Sequence, residues 1–460
     1  HNTGQTGGTP DADIDAPEAW YVWRGDAGFA PLAIIDTGVD YDHPDLEANI
    51  WVNPGEDLDG DGEVWDPDDM NGIDDDGNGY VDDLIGWDFC TTDDGTTDND
   101  PMDDEGHGTH CAGIAAAVTD NGIGVAGTSW RANIMPLKFM NADGRGSTAD
   151  AVQCIYYAAD NGAKVLSNSW GGGGPSITLE EAIAYADSMG ALFVAAAGND
   201  DTSSPEYPAY YELAMAVAAT DHNDHKAWFS NYGEWVDISA PGEDILSTVW
   251  DDGYAIYSGT SMATPFVAGL ANLLWSYKPE LTNHQVRARI EATADKIDVL
   301  NPGYEGLLGT GRINAFAALT AGILAGTVVD SLTGAPLEAT VTILETGARA
   351  VTDPATGEYT LAVPAGSYTA EASAPGYGSK TASVTIFSDS TTFQDFVLLP
   401  VDIEVTPLAF DVRVEYDSTL VDTLTISNVG EGVLNFDIEV IEILMPTPGS
   451  LSQSTSTIKR

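Results

Sequence analysis

Between residues 31 and 320, short apolar strand-like runs with no strict alternation alternate with longer segments whose apolar residues recur at helical spacing. No other feature restricts the fold as much: a strand apolar on both faces must be covered on both, and intervening helices are the cover a parallel sheet uses. Residues 32–35, 133–138, 164–169 and 192–196 read as buried strands. Residues 148–161, 179–189 and 264–277 read as helices, the first stopped by Asn161-Gly162. Residues 1–321 are therefore expected to form an α/β domain, a parallel sheet flanked by helices. With 43% hydrophobic residues the chain has apolar material enough for such a core, and its 460 residues are too many for only one.

From residue 322 the texture changes to Thr, Val, Ala and Gly in short alternating segments such as 339–343 and 367–371, divided by turn signals at 332–336 and 354–357. That alternation predicts an antiparallel β-sandwich over 322–400. A further β-rich stretch, 401–460, has candidate strands at 423–426 and 434–440 and no obvious closing strand, so it reads as a partial Ig-like domain or tail.

Charge separates the partner classes. Lys and Arg number 16 against 73 Asp and Glu, a formal net charge of −57, which repels nucleic acid and anionic membrane. No run of 18 apolar residues is present to span a bilayer. The opening His1-Asn2-Thr3-Gly4-Gln5 has no basic and then apolar leader and reads as a mature end left after processing. The carboxylates are densest between 57 and 105, which points to cation binding. Asp57, Asp59, Asp61 and Glu63 alternate around Gly62 as in an EF-hand loop, with Asp68 in the closing position. Asp74, Asp76, Asn78 and Tyr80 repeat the pattern with Asp82 or Asp83 to close it. Oxygen donors at this density suit calcium, although the helices of a true EF-hand are absent. An acidic, solvated insertion is the plainer alternative.

Three short motifs carry chemistry. Ile34-Ile35-Asp36-Thr37-Gly38 puts a carboxylate at the C-terminal end of a buried strand, where open α/β sheets place reactive groups. Gly106-His107-Gly108-Thr109-His110-Cys111 puts a histidine where a Gly-rich loop enters an apolar helix. Gly259-Thr260-Ser261-Met262-Ala263-Thr264-Pro265 puts a serine at a helix start, where the positive end of the dipole favours developing negative charge. Singly, each has a plainer reading: a turn-forming Asp, a His107/His110 metal pair, a Ser cap. The metal pair lacks the i, i+4 histidines flanking a Glu that mark a zinc helix.

In the order Asp, His, Ser the three motifs resemble those of the subtilases, and the resemblance spans roughly residues 14–320. It implies a subtilisin-like fold and a serine endopeptidase with Ser261 as nucleophile, His107 as base and Asp36 orienting the imidazole. Ala196-Ala197-Gly198-Asn199 resembles the motif that supplies the oxyanion donor, here Asn199. Ser169-Trp170-Gly171 resembles the edge on which subtilases pair substrate backbone. With Ala196, Ala197 and Gly198 it is expected to line a roomy, largely apolar pocket for P1, the residue before the scissile bond, giving broad specificity with an apolar or aromatic preference. The resemblance further implies protein and peptide substrates, a propeptide or protein inhibitor, secretion and a monomer. It also implies a third calcium site at Asp45, with Asn121, Ile123 and Val125 from the facing loop. Segment 322–400 resembles the carboxypeptidase regulatory-like domains of secreted enzymes.

Three cysteines in an extracellular protein suggest one disulfide and one free thiol. Related enzymes sometimes hold a buried free thiol at the position of Cys111, and the resemblance then points to Cys90 and Cys154 as the bridged pair. Two rival functions stand beside the broad endopeptidase. A narrow-specificity processing protease would need acidic residues lining the subsites next to Ser261. An adhesion or surface-binding protein would use the same scaffold without catalysis.

Overall fold

The computed structural model describes residues 7–92, 95–401, 403–406 and 425–428. The chain divides into two compact units, the first running to Ala321 and including Ala362–Pro364, the second starting at Gly322. In the first, seven strands among the described residues form one sheet: β1 (Leu32–Asp36), β2 (Trp87–Asp88), β3 (Ile134–Lys138), β4 (Val165–Asn168), β5 (Leu192–Ala196), β6 (Ala214–Thr220) and β7 (Ile238–Pro241). They pair in parallel in the order β2-β3-β1-β4-β5-β6-β7. The chain order reverses beside β1, so Asp36 lies at the carboxyl end of a strand at the topological switch point, where such sheets open a crevice.

Among the described residues the helices beside the sheet are α1 (Ala16–Ala19), α2 (His107–Ala116), α3 (Thr148–Asp160), α4 (Ile177–Ser188), α5 (Thr260–Tyr277), α6 (Asn283–Ala292) and α7 (Ala315–Thr320). The two-residue period of a strand explains why both faces are apolar. Leu32 and Ile34 share a core with Ala112, Ala115, Met262 and Val267 of α2 and α5, while Ala33 and Ile35 share one with Ala151, Ile155, Ala182 and Ile183 of α3 and α4. Full burial of a Leu or Ile contributes about 1.5–3 kcal/mol, so each strand is held from both sides. Helix starts are set by side chains: Ser147 and Ser176 cap α3 and α4, and Thr282 with Gln285 forms a capping box on α6.

Strands β1, β3, β4 and β5 match the expected segments to within a residue at either end. Strand β6 was not expected, because Ala-Met-Ala-Val-Ala-Ala-Thr is short of the β-branched and aromatic residues that mark strands. Helix α5 starts at Thr260 rather than 264, which takes the serine motif into its first turn. An antiparallel hairpin, β8 (Ile245–Val249) and β9 (Gly253–Tyr257), leads into it.

The second unit holds β10 (Gly322–Asp330), β11 (Thr340–Ile343), β12 (Arg349–Val351), β13 (Glu358–Val363), β14 (Gly366–Ser373), β15 (Lys380–Ile386), β16 (Thr391–Phe393) and β17 (Phe396–Leu398). One sheet runs β12-β11-β14-β15 and is antiparallel. In the other, β10 lies between β13 and β16 and pairs in parallel with β16 and then β17, a departure from the all-antiparallel expectation. Farther on, β18 (Ile403–Thr406) and β19 (Thr425–Asn428) pair antiparallel. The expected strand at 434–440 lies outside the described residues.

The expected Cys90–Cys154 bridge is not formed. Cys90, Cys111 and Cys154 are all buried free thiols, Cys154 on the inward face of α3. Among the described residues, no helix is long and apolar enough to cross a membrane.

Candidate active site

Asp36, at the end of β1, is 1% exposed, and His107 Nδ1 donates to its Oδ1 at 2.7 Å. The Thr37 N–H donates to the same oxygen at 2.8 Å. His107 opens α2 after Gly106, whose φ of 106° suits only glycine and where a Cβ would fall 2.7 Å from the Trp250 ring. The turn is organised by the buried Asp103. Its Oδ1 accepts from Thr37 Oγ1, Glu105 N and Gly106 N, and its Oδ2 from the N–H and hydroxyl of Thr109. Buried Lys138 ties down the other side, donating to Thr37 O (2.7 Å) and Met140 O (3.0 Å) and pairing with Asp104 (2.7 Å). Burial works to lower the His107 pKa. The charge and hydrogen bond of Asp36, with the charges of Glu105 and Asp103, outweigh it and hold the imidazole at about 9.

His110 does something else. Its Nε2 binds Ile245 O (3.1 Å) and Ala255 O (3.2 Å) across the β8–β9 hairpin, and its ring stacks on Tyr257. Burial depresses its pKa to about 4, so it is a neutral strut.

Ser261 lies in the first turn of α5, where no intrahelical acceptor precedes its N–H. Four residues on, Pro265 has no N–H to return to the Ser261 carbonyl. That carbonyl is served instead by Ser169 Oγ (2.8 Å) and by the Cys111 thiol (3.4 Å). Burial pushes the Cys111 thiol far up, so it stays an S–H donor. The Ser261 hydroxyl itself donates to Ser169 O at 3.1 Å.

Asn199 is pinned by its carbonyl oxygen, which accepts from Thr260 N (2.8 Å) and Thr260 Oγ1 (3.0 Å), while its amide NH2 has no acceptor among the described residues. A Cβ built on Gly259 would lie 3.6 Å from both Asn199 Nδ2 and Ser261 N. Asn199 and Ser261 line one cavity, which makes the amide and the N–H at the helix start candidate donors to an oxyanion.

Next to it opens a cavity of about 290 Å³ lined by Ser169, Trp170, Gly171, Ala196, Gly198, Asn199, Thr260 and Ser261. Ala197 does not line it: it is fully buried and packs behind, against Ala218 and Leu308. The cavity is also not the largely apolar one expected, because Asp200 and Glu206 complete its lining. Glu206 escapes sequence reading because it lies in an irregular loop with no periodicity to place it.

The sequence profile of the subtilase family matches residues 30–311, more than half of the chain. This chain belongs to the subtilase family. It is 42% identical to thermitase of Thermoactinomyces vulgaris over 66% of its own length and 93% of that protein. It is 45% identical to subtilisin BL of Lederbergia lenta over 47% and 78%. A solved protease of Pseudoalteromonas arctica superposes with a TM-score of 0.54 at 29% identity, covering 66% of this chain and 93% of that one. Residues 323–399 match the carboxypeptidase regulatory-like domain. The subtilase is a serine endopeptidase acting on proteins.

Its acidic loops gather carboxylates in ways the sequence only partly indicates. Asp57 accepts from Gly60 N and Gly62 N, and Asp74 from Gly77 N and Gly79 N, so both loops turn alike. Asp57, Asp59 and Asp61 converge, but Asp66 and Asp69 complete that region with Glu63, while Asp68 stands outside the clusters. In the second loop Asp74 and Asp76 meet Glu56, a residue the loop pattern did not include. Asn78 Nδ2 donates to Asp83, and Tyr80 packs its ring against Trp87, Phe89 and Tyr157. At the third place Asp45 accepts from Asn121 Nδ2 (2.6 Å) and Val125 N (2.9 Å), and Ile123 N donates to Asn121 Oδ1.

Proposed function

We propose that this subtilase is a secreted endopeptidase that cleaves through an acyl-enzyme, with Asp36, His107 and Ser261 as its triad. The observation that carries this is the Asp36–His107 pair held at 2.7 Å, with Ser261 and Asn199 lining one cavity beside Ser169. An extended substrate laid along Ser169, Trp170 and Gly171 adds main-chain hydrogen bonds that are indifferent to sequence. Among the described residues the Ser261 hydroxyl bonds Ser169 O and not His107, so a substrate that takes Ser169 O as acceptor would free that hydroxyl for the imidazole. His107 then takes the hydroxyl proton as oxygen attacks the carbonyl, Asp36 stabilises the imidazolium, and the proton passes to the leaving amine. Water repeats the sequence on the ester. Loss of an asparagine in the role given to Asn199 slows a subtilisin by about 100- to 1000-fold.

Calcium is proposed as the structural cation of the acidic loops. Glu56 and Asp83 are both fully buried, and Glu56 Oε2 and Asp83 Oδ1 have no hydrogen-bond partner among the described residues. Buried carboxylate oxygens without donors fit a hard cation held with Asp74 and Asp76. Asp57, Asp59, Asp61, Asp66 and Asp69 would hold a second ion, and Asp45, Asn121, Ile123 and Val125 a third. The ions would hold the loops together and take no part in the reaction.

The test is labelling of the full chain with a serine-directed phosphonate, followed by peptide mapping. Label at Ser261, lost together with proteolysis in Ser261→Ala, is the expected result. Label elsewhere, or full activity in that variant, would reject the triad, and absence of both label and cleavage would favour a binding protein on this scaffold.

A further inference from the structure

We propose that Glu206, seconded by Asp200, makes the cavity beside Ser261 a site for a basic side chain, so that the enzyme cleaves after Lys or Arg. The proposal rests on the reading of Ser261 and Asn199 as the reaction centre, which fixes this cavity as the one that receives P1.

The placement is set by two glycines. A Cβ on Gly171 would fall 3.3 Å from Glu206 Oε1, and one on Gly198 would fall 3.3 Å from Glu206 Cγ. The carboxylate thus reaches in between the two walls that also carry the expected backbone-binding edge, and any side chain on either wall would crowd it. Asp200, directly after the proposed oxyanion donor, lines the same cavity. Glu206 is half-buried and, among the described residues, no Lys, Arg or His pairs with it. Burial first, then the charge of Asp200, raises its pKa against the Gly172 N–H that lowers it. A carboxylate partly stripped of water and lacking a counter-charge is served by an ammonium or guanidinium that brings both charge and donors. An apolar P1 side chain would instead cover Glu206 and leave it unpaired, the asymmetry that makes polar pockets selective.

The whole chain is consistent with this choice. Its net charge of −57 draws basic segments and repels acidic ones. Its own Lys and Arg number only 16, and Lys138, Arg289 and Arg312 among them are buried, so copies of the enzyme offer one another few sites.

The experiment compares kcat/KM on peptide anilides that differ only at P1, as Lys, Arg, Leu or Phe, using the full chain with calcium present. Lys or Arg is expected to exceed Leu and Phe by about tenfold or more. Glu206→Gln is expected to lower the Lys/Leu ratio about tenfold, and Glu206→Asp, which keeps the charge, to restore most of it. Because the ratio is taken within one preparation, partial misfolding of a variant cannot imitate the effect. A wild-type preference for Leu or Phe, or a ratio unmoved in Glu206→Gln, overturns the proposal. If the phosphonate labels Ser261 while Leu or Phe is preferred, only the basic pocket is lost; if Ser261 is not labelled, the underlying reading of the site fails as well.

Discussion

His107 at about 9 sets a pH dependence that can be worked out in sign. Only neutral imidazole can accept the serine proton, and below its pKa the neutral fraction falls tenfold per unit. kcat/KM should therefore climb through the neutral and alkaline range, lying about 100-fold under its plateau at pH 7. Glu105 adds to the shift by its charge, so Glu105→Gln should move the rising limb to lower pH; a limb that stays in place would mean Glu105 does not act on the imidazole. Asp103 has a different part. It takes no place in the proposed reaction, but it gathers donors from Thr37, Glu105, Gly106 and Thr109 and so joins the end of β1 to the start of α2. Asp103→Ala leaves those buried donors unpaired and should cost about 2–4 kcal/mol in urea unfolding. A loss below about 0.5 kcal/mol would show that water replaces the carboxylate without strain.

Elements were legible where the local signal and the packed environment agreed. β1, α2 and α5 carry the proposed triad beside glycines and apolar runs, so Asp36, His107 and Ser261 could be placed on a strand end and two helix starts from the sequence. Asp103 was not legible as a hinge, since an Asp in an acidic stretch looks like its neighbours until Thr37 is brought against it. The acidic loops were half legible. Alternating Asp57, Asp59 and Asp61 and alternating Asp74 and Asp76 announce the turns, but Glu56, Asp66 and Asp69 join from outside the repeating frame, by tertiary placement. This gives the loops a test of their own. Ions that bind only the folded state stabilise it by mass action, so EGTA should lower the melting temperature by about 5–10 °C. Glu56→Gln should shrink that drop, and a drop equal to that of the wild type would take Glu56 out of the cation site.

At the scale of the molecule the governing quantity is the charge of −57. Carboxylates crowded on a folded surface repel one another more than in an expanded chain, so folding works against its own field. Raising NaCl shortens the Debye length from about 30 Å at 0.01 M to about 3 Å at 1 M. With calcium kept saturating, the melting temperature should rise with salt over this range. The same screening acts the other way on catalysis if P1 is basic: the field that draws a cationic substrate weakens, and kcat/KM for a Lys substrate should fall while that for a Leu substrate changes little. A melting temperature that is flat or falls with NaCl would mean that bound cations already neutralise the surface. Stability and Lys turnover moving in opposite directions is the signature of one field acting on both, since a general salt effect on folding would shift the two substrates together.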